Sequence, residues 1–212
     1  MLILHYTGMT SAAAALDRLC DPEARVSSHY VVEEDGAVWR LVPEERRAWH
    51  AGESGWLGRR DINAHSIGIE IVNPGHEFGY RAFPEPQIDA VEQLCRDIAT
   101  RWTVAPRLVL GHSDVAPHRK RDPGELFPWR RLARAGIGLW PDFSPSVRPP
   151  DTVSDIQQAL AAYGYDLPLT GTADRRTAQV LTAFQRHFRP ERCDGVADEE
   201  TRLRLASVAA AV

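Results

Sequence analysis

The chain of 212 residues has little of what marks several common protein classes. Its three cysteines are odd in number and form no CxxC pair, so we expect no disulfide framework. No apolar run approaches the roughly 18 residues that a membrane-spanning helix needs. The 25 basic and 29 acidic residues give a net charge of -4, which excludes the strongly basic surface typical of nucleic-acid-binding proteins. Lysine occurs once, as Lys120.

The amino terminus lacks the basic segment and the longer apolar stretch of a secretory signal. Only four residues precede His5 in a segment that has the pattern of a β-strand. We therefore expect that part of the lead-in to this first strand is absent from the sequence.

Proline divides the chain into two parts. Residues 141–151 contain four prolines and keep neither a helical nor a strand period, which predicts a linker. Residues 1–140 are long enough to bury a core of their own, and residues 152–212 are predicted to form a smaller second domain.

Short β-type runs alternate with helical stretches in the first part. Strands are predicted over residues 2–6, 29–33, 38–42, 66–72 and 107–112, and helices over residues 12–19, 86–102 and 129–135. This alternation predicts an α/β domain with a central mixed β-sheet flanked by helices. In the second part, three segments with apolar residues at helical spacing are separated by glycines, which predicts a small three-helix domain.

Histidines and carboxylates concentrate after the last predicted strand. His112 ends this strand, and the loop behind it carries Asp114, His118 and Asp122. Two imidazoles and one carboxylate, with a fourth position for water, form a typical catalytic zinc set. The spacing alone leaves two ligand sets open, one that uses Asp122 and one that uses Asp114 and His118. His5 lies in the first strand, where a lone histidine is more commonly a core residue.

Two charged residues are further candidates for chemistry. In SIGIEIV the isoleucines share one strand face, and Glu70 lies on the other face with Gly68. A carboxylate in so apolar a strand is paired, bound to a metal or catalytic, unless it simply faces solvent. Lys120 lies in an arginine-rich loop, where a single lysine could equally have no function.

The segments LHYTG, SSHY with its DG hairpin, RAWHAG, SIGIEIVN and GHSDVAPHRKRDPG occur in this order. Residues 1–140 thereby resemble the type 2 zinc-dependent N-acetylmuramoyl-L-alanine amidases of bacteria, relatives of the phage amidase lysozymes and the peptidoglycan recognition proteins. The resemblance implies a Zn²⁺ cofactor. Its implied ligands and catalytic residues are His5, His112 and Asp122 for zinc, Glu70 as the catalytic carboxylate and Lys120 as the transition-state support.

The same resemblance gives expectations for the remaining polar residues. It implies that Trp49, His50 and Asn63 border the substrate groove, and it makes Asp114 a residue that orients a ligand. His29 follows the strand pattern of the family, and we favour a structural role for it. No motif supports the other three histidines, which we expect on the surface: His65, His76 and His187.

The tail resembles a second family, the three-helix peptidoglycan-binding domain, through DIQQALAAYGYDLPLTG, TAQVLTAFQ and DGVADEETRLRL. Two arrangements of this domain stay open. In the first, the linker tethers it and keeps the catalytic domain near the polymer. In the second, its apolar helix faces pack on the first domain and stabilise it.

Together the resemblances imply a hydrolase that cleaves the amide bond between the lactyl group of N-acetylmuramic acid and L-alanine of the stem peptide. Peptidoglycan or muropeptide fragments are the expected partners, and we expect a monomer. The alternatives are a recognition module without activity and a zinc peptidase that cuts within the peptide. The wall-binding tail favours the cell envelope or periplasm, whereas the missing signal favours the cytoplasm.

Overall fold

The computed structural model describes residues 1–143 and 147–212. Residues 144–146 of the predicted linker lie outside the described residues. The described residues of the predicted linker, from Pro141 to Phe143 and from Val147 to Asp151, contain no helix or strand.

A mixed β-sheet of five strands forms the centre of the first part, as the sequence predicts. In chain order the strands are β1 (Leu2–Tyr6), β2 (Tyr30–Val32), β3 (Val38–Arg40), β4 (Gly55–Trp56), β5 (Arg59–Arg60), β6 (Ile67–Ile71) and β7 (Val109–Gly111). The large sheet has the order β3-β2-β6-β1-β7, with β2, β6, β1 and β7 parallel and β3 antiparallel to β2. Strands β4 and β5 form a separate hairpin.

The described residues contain eight α-helices. The first five belong to the same part of the chain as the sheet, and the last three make up the second part. They are α1 (Ala12–Cys20), α2 (Gly75–Phe78), α3 (Glu85–Trp102), α4 (His112–Val115), α5 (Trp129–Arg134), α6 (Val153–Tyr163), α7 (Arg175–Phe188) and α8 (Glu199–Ala210). Helix α1 begins where the Ser11 hydroxyl accepts a hydrogen bond from the backbone N–H of Ala14, which caps its amino terminus. None of the helices in the described ranges combines the length and the apolar character needed to cross a bilayer.

Because side chains alternate between the two sides of each strand, the two faces of the sheet pack into different apolar cores. Leu2, Leu4 and the isoleucines of β6 pack with the apolar stripe of α3, including Cys95, which is fully buried. Ile3 lies on the opposite face and packs with residues from the second part of the chain. The three cysteines, all within the described residues, form no disulfide, as expected.

The three helices of the second part pack against the first part, which is the second of the two arrangements that the sequence left open. One continuous apolar cluster contains Ile3, Trp56 and Leu110 together with side chains of α6, α7 and α8. The Trp56 ring is fully buried and lies 5.1 Å from the Tyr163 ring and 5.0 Å from the Tyr165 ring, measured between centroids. The backbone N–H of Leu57 donates to the carbonyl of Gly164 at 2.8 Å. The tail is therefore part of a shared core.

Asp114 joins the two parts through hydrogen bonds. Its carboxylate accepts from the backbone N–H of Gly111 at 2.8 Å, from the Tyr165 hydroxyl at 2.7 Å and from His187 Nδ1 at 2.7 Å. The expectation that His187 is a surface residue is wrong, because α7 turns this residue towards α4. His187 is buried and stacks on the Trp129 ring at 3.8 Å.

Several predicted boundaries need correction. The segment 107–112 is not one strand: residues Pro106–Leu108 form a 3-10 helix, β7 covers only Val109–Gly111, and His112 begins α4. The β4–β5 hairpin and the short helices α2 and α4 are absent from the sequence prediction, since elements of two to four residues carry no detectable period.

Candidate active site

Three side chains converge at one end of the sheet. His5 comes from β1, His112 from the first residue of α4, and Asp122 from the loop that follows α4. The distances from His5 Nδ1 to His112 Nδ1, from His5 Nδ1 to Asp122 Oδ2, and from His112 Nδ1 to Asp122 Oδ2 are each 2.9 Å. All three residues are buried. Within the described residues, this is the one group of three or more potential ligands whose donor atoms lie close enough to hold a metal ion.

The donor chemistry of this group fits a zinc ion. His112 Nε2 lies 3.1 Å from the carbonyl oxygen of Ala51, which can only accept, and 3.4 Å from Arg119 Nη2, which can only donate. The shorter contact favours the tautomer with the proton on Nε2 and a lone pair on Nδ1. A carboxylate oxygen also only accepts. Lone pairs that face each other at this separation repel unless a cation or a proton lies between them. Two imidazoles, one carboxylate and an open fourth position are the ligand set of catalytic zinc.

The electrostatics keep His5 and Asp122 in the protonation states that a metal needs. Burial, followed by the proximity of His112, lowers the pKa of His5 to about 4, so its imidazole is neutral at pH 7. Burial alone would raise the pKa of Asp122, but the adjacent imidazoles, His112 before His5, hold it well below the ordinary value. The carboxylate is therefore ionised.

Glu70 lies beside this group because β6 pairs in parallel with β1, and His5 is opposite Glu70 in the register. Side chains at paired positions of neighbouring strands point to the same face of a sheet. Glu70 Oε2 is buried and has no hydrogen-bond partner in the described part of the chain. Burial, with the nearby charge of Asp122, raises the pKa of Glu70 well above its ordinary value, and Lys120 opposes this shift.

A cavity of about 780 Å³ opens in front of these residues. Glu70, Lys120, Trp49 and the three potential ligands all line it. Trp49 has 51% of its surface exposed, which leaves about half of this residue free to contact a bound molecule. The structure therefore brings these predicted residues to one site.

His50 and Asn63 lie further inside than the sequence suggests. His50 is buried, and its Nδ1 lies 3.0 Å from His5 Nε2, although part of the ring reaches the cavity. Asn63 is buried behind this segment and is absent from the cavity wall that the described residues form. Its Oδ1 accepts from the backbone N–H groups of His50 and Ala51. Direct contact of these two residues with substrate stays a prediction.

The competing ligand set does not assemble. His118 is exposed, and the Asp114 carboxylate is occupied by Gly111, Tyr165 and His187. His29 is buried and bonded through both ring nitrogens, to the carbonyl of Arg46 and the backbone N–H of Gly68, in agreement with a structural role.

Of the remaining two histidines, His76 is the second residue of α2 and His65 directly follows the 3-10 helix Ile62–Ala64. His65 is exposed, as expected. His76 is half-buried instead, because it lies between the Tyr6 hydroxyl and the Glu125 carboxylate and stacks on Tyr80.

The cavity wall also holds Arg18, Arg119 and Arg121, which the sequence did not single out. Arginine is so frequent in this chain that no single one stands out in the sequence. Arg18 comes from α1, a helix without any other candidate site residue, so only the folded arrangement places it here.

Comparison with known proteins agrees with this geometry. A family model described as N-acetylmuramoyl-L-alanine amidase matches residues 1–125, and a model of a peptidoglycan binding domain matches residues 149–205. N-acetylmuramoyl-L-alanine amidase AmiD of Escherichia coli is 41% identical over 95% of this chain and 79% of that protein.

Solved structures match both parts of the chain together. The complex of E. coli AmiD with anhydro-N-acetylmuramic acid-L-Ala-D-gamma-Glu-L-Lys has a TM-score of 0.88 and 38% identity, and it covers all of this chain and 88% of that one. AmpDh3 of Pseudomonas aeruginosa in complex with an anhydromuramic pentapeptide has a TM-score of 0.88 and 39% identity, over 98% of this chain and 89% of that one.

Proposed function

Because the chain belongs to the N-acetylmuramoyl-L-alanine amidase family, we propose that it performs this hydrolysis with a zinc ion held by His5, His112 and Asp122. The enzyme cleaves the amide bond between the lactyl group of N-acetylmuramic acid and L-alanine of the stem peptide in muropeptides. The observation that carries the zinc proposal is the convergence of three buried donor atoms at 2.9 Å.

Glu70 is the proposed general base and acid. His5, His112 and Asp122 would hold the zinc ion, which when bound would supply a Lewis acid for the scissile carbonyl. Glu70 lies on the same sheet face as His5 and has a buried oxygen without a partner in the described residues. This oxygen accepts the proton of the attacking water, and the protonated carboxyl then delivers it to the departing nitrogen of L-alanine.

Lys120 is the proposed support for the oxyanion. It lines the same cavity as Glu70 and is the one lysine in the sequence. A positive charge at this position stabilises the oxygen as it becomes negative, and a comparable donor contributes about 3–4 kcal/mol to transition-state stabilisation in other hydrolases.

Exposed aromatic and basic groups at the mouth of the cavity suit a muropeptide. Trp49 offers an apolar surface, and Arg18, Arg119 and Arg121 offer donors for carboxylates. The peptide in the AmiD complex contains a D-gamma-Glu residue, whose γ-linkage leaves an α-carboxylate free. We propose that such fragments are substrates of this chain, and that 1,6-anhydro ends are accepted.

The second part supports a place in the cell envelope, because the peptidoglycan binding domain model matches it. We propose a periplasmic enzyme that acts as a monomer. We propose the domain limits 1–140 and 152–212, with residues 141–151 as the connection. Because the two parts share an apolar core, we propose that the two domains unfold as one unit.

Metal analysis tests the zinc proposal. Purified wild-type protein should hold one zinc per chain, and Asp122→Ala should lose most of it, because two imidazoles alone make a weak site. His118→Ala is the matched control in the same loop and should keep its zinc. Undiminished zinc in Asp122→Ala, together with loss in His118→Ala, would replace the proposed ligand set by the competing one.

A further inference from the structure

Two consecutive residues, His50 and Ala51, each contact one of the two histidines of the proposed zinc site. His50 Nδ1 lies 3.0 Å from His5 Nε2, and the carbonyl oxygen of Ala51 lies 3.1 Å from His112 Nε2. Each contact is on the ring nitrogen opposite the one that faces the other ligands. The hydrogen bond on that opposite nitrogen decides which nitrogen of an imidazole is free to bind a metal.

The direction of the hydrogen bonds on His50 can be followed from its far end. The Ser66 hydroxyl donates to the carbonyl oxygen of Ile62 at 2.7 Å, which uses its one hydrogen. At His50 Nε2, 3.3 Å away, Ser66 Oγ must therefore accept, and Nε2 carries the proton. In the neutral ring Nδ1 is then an acceptor, so His5 Nε2 donates to it. His5 Nδ1 is left with a lone pair directed at His112 and Asp122.

Other residues hold this segment in place. Asn63 Oδ1 accepts from the backbone N–H of His50 at 3.1 Å and from that of Ala51 at 2.7 Å. The ring of His50 lies against the backbone of Gly68 on β6, where a Cβ atom would come within 2.5 Å of His50 Cγ. Any other residue at position 68 would displace the ring. The geometry is thus built for an imidazole at this place.

We propose that His50 and Ala51, held by Asn63 and Ser66, are positioning residues that set the tautomers of both imidazole ligands and so raise the affinity for zinc. This inference rests on the proposed zinc site. It gives His50 and Asn63 a role different from the substrate contact that the family resemblance implies.

Zinc affinity tests the proposal, measured by competition with a chromophoric chelator. His50→Phe keeps a flat ring of similar size but has no acceptor, and it should weaken zinc binding about 10- to 100-fold, the usual cost of losing such a partner. His50→Asn places an oxygen near the position of Nδ1 and should recover part of that loss. Ser66→Ala removes the group that fixes the His50 tautomer and should give a smaller loss.

Trp49→Ala is the matched control, because Trp49 is next to His50 in the chain but is exposed and forms no hydrogen bond with either ligand ring. The zinc affinity of Trp49→Ala should equal that of the wild type. The melting temperature of each metal-free variant is measured in parallel. The proposal would be overturned if His50→Phe and Ser66→Ala bound zinc as tightly as the wild type does. In that case a lower melting temperature would make His50 a core residue, and a higher KM would make it a substrate contact. If His50→Phe does not fold, Ser66→Ala against Trp49→Ala decides.

Failure of this inference is distinguishable from failure of the zinc site itself. In the first case the wild type binds zinc and Asp122→Ala does not, while the His50 and Ser66 variants bind as the wild type does. In the second case the wild type holds no zinc at all.

Discussion

An added methyl group at Gly164 tests whether the two parts of the chain form one cooperative unit. Gly164 follows α6 and has a φ of +147°, and a Cβ atom there would lie 2.5 Å from Trp56 Cε2. Trp56 belongs to the first part and is fully buried, so its ring has no free space to move into. Gly164→Ala therefore pushes the parts against each other at their shared core.

The matched control is Gly171→Ala in the same part of the chain. Gly171 also has a positive φ, +70°, but a methyl group added there would have no atom of the described residues within 4 Å. Backbone strain is about 1–2 kcal/mol for Gly171→Ala, whose φ lies near the left-handed helical region, and larger for Gly164→Ala, whose φ lies outside it. Only Gly164→Ala adds overpacking, which costs about 1–3 kcal/mol. For a chain of this size that extra cost lowers the melting temperature by about 2–12 °C relative to Gly171→Ala.

Calorimetry gives the decisive readout. We expect a single unfolding transition in the wild type, and Gly164→Ala should move the whole transition while activity on a small soluble muropeptide falls at temperatures near it. The shared core would be refuted by two separate unfolding transitions of which Gly164→Ala shifts only one. Muropeptide hydrolysis by Gly164→Ala would then stay unchanged up to the temperature of the unshifted transition. That outcome would restore the tethered arrangement.

Three further predictions concern single residues. Glu70→Gln should keep its zinc and lower kcat at least about 100-fold, because it removes the proton acceptor; unchanged turnover in steady-state assays would leave Glu70 a structural charge. Lys120→Ala should lower kcat about 100- to 1000-fold with little change in KM, with partial recovery in Lys120→Arg; a change confined to KM would indicate ground-state binding. Burial alone would raise the pKa of Glu44, but hydrogen bonds from Arg101, Tyr30 and Trp102 lower it to about 2. A carboxylate with a depressed pKa stabilises the fold above its unfolded pKa and loses this effect as the pH falls, so Glu44→Gln should cost about 2 kcal/mol at pH 7 and almost nothing near pH 2. Urea unfolding at both pH values measures this difference, and an equal cost at both would contradict the assignment.

The sequence predicts the fold where periodicity is long and fails where it is short. The stripe of α3 spans 18 residues and the alternation of β6 separates its isoleucines from Glu70, so both are recoverable from residue types alone. Helix α4 has four residues, and its first residue, His112, reads as a strand end because the apolar run before it continues without a break. The position of α4 also depends on Asp114 and on contacts from α7, which are remote in the sequence.

The sequence predicts which residues belong to the candidate site, but not which of them face the cavity and which lie behind a ligand. Motif order is enough to nominate His5, His112, Asp122, Glu70 and Lys120, and the structure brings them to one cavity. A motif does not distinguish a residue that faces substrate from one that lies behind a ligand.

His50, Asn63 and His187 show this limit. A linear sequence cannot reveal that the room left by Gly68 is filled by the ring of His50, or that α7 packs against α4. Which side chain is buried is decided by contacts between distant segments.

The products formed from an anhydromuramyl peptide test the central claim most directly. The wild type is incubated with anhydro-N-acetylmuramic acid-L-Ala-D-gamma-Glu-L-Lys, and the products are identified by mass spectrometry, with Asp122→Ala as the metal-site control. We predict one anhydromuramic acid with a free lactyl carboxylate and one intact tripeptide, and no reaction with Asp122→Ala. Shortened peptides, an unchanged substrate, or equal cleavage by Asp122→Ala would contradict a zinc amidase built on His5, His112 and Asp122.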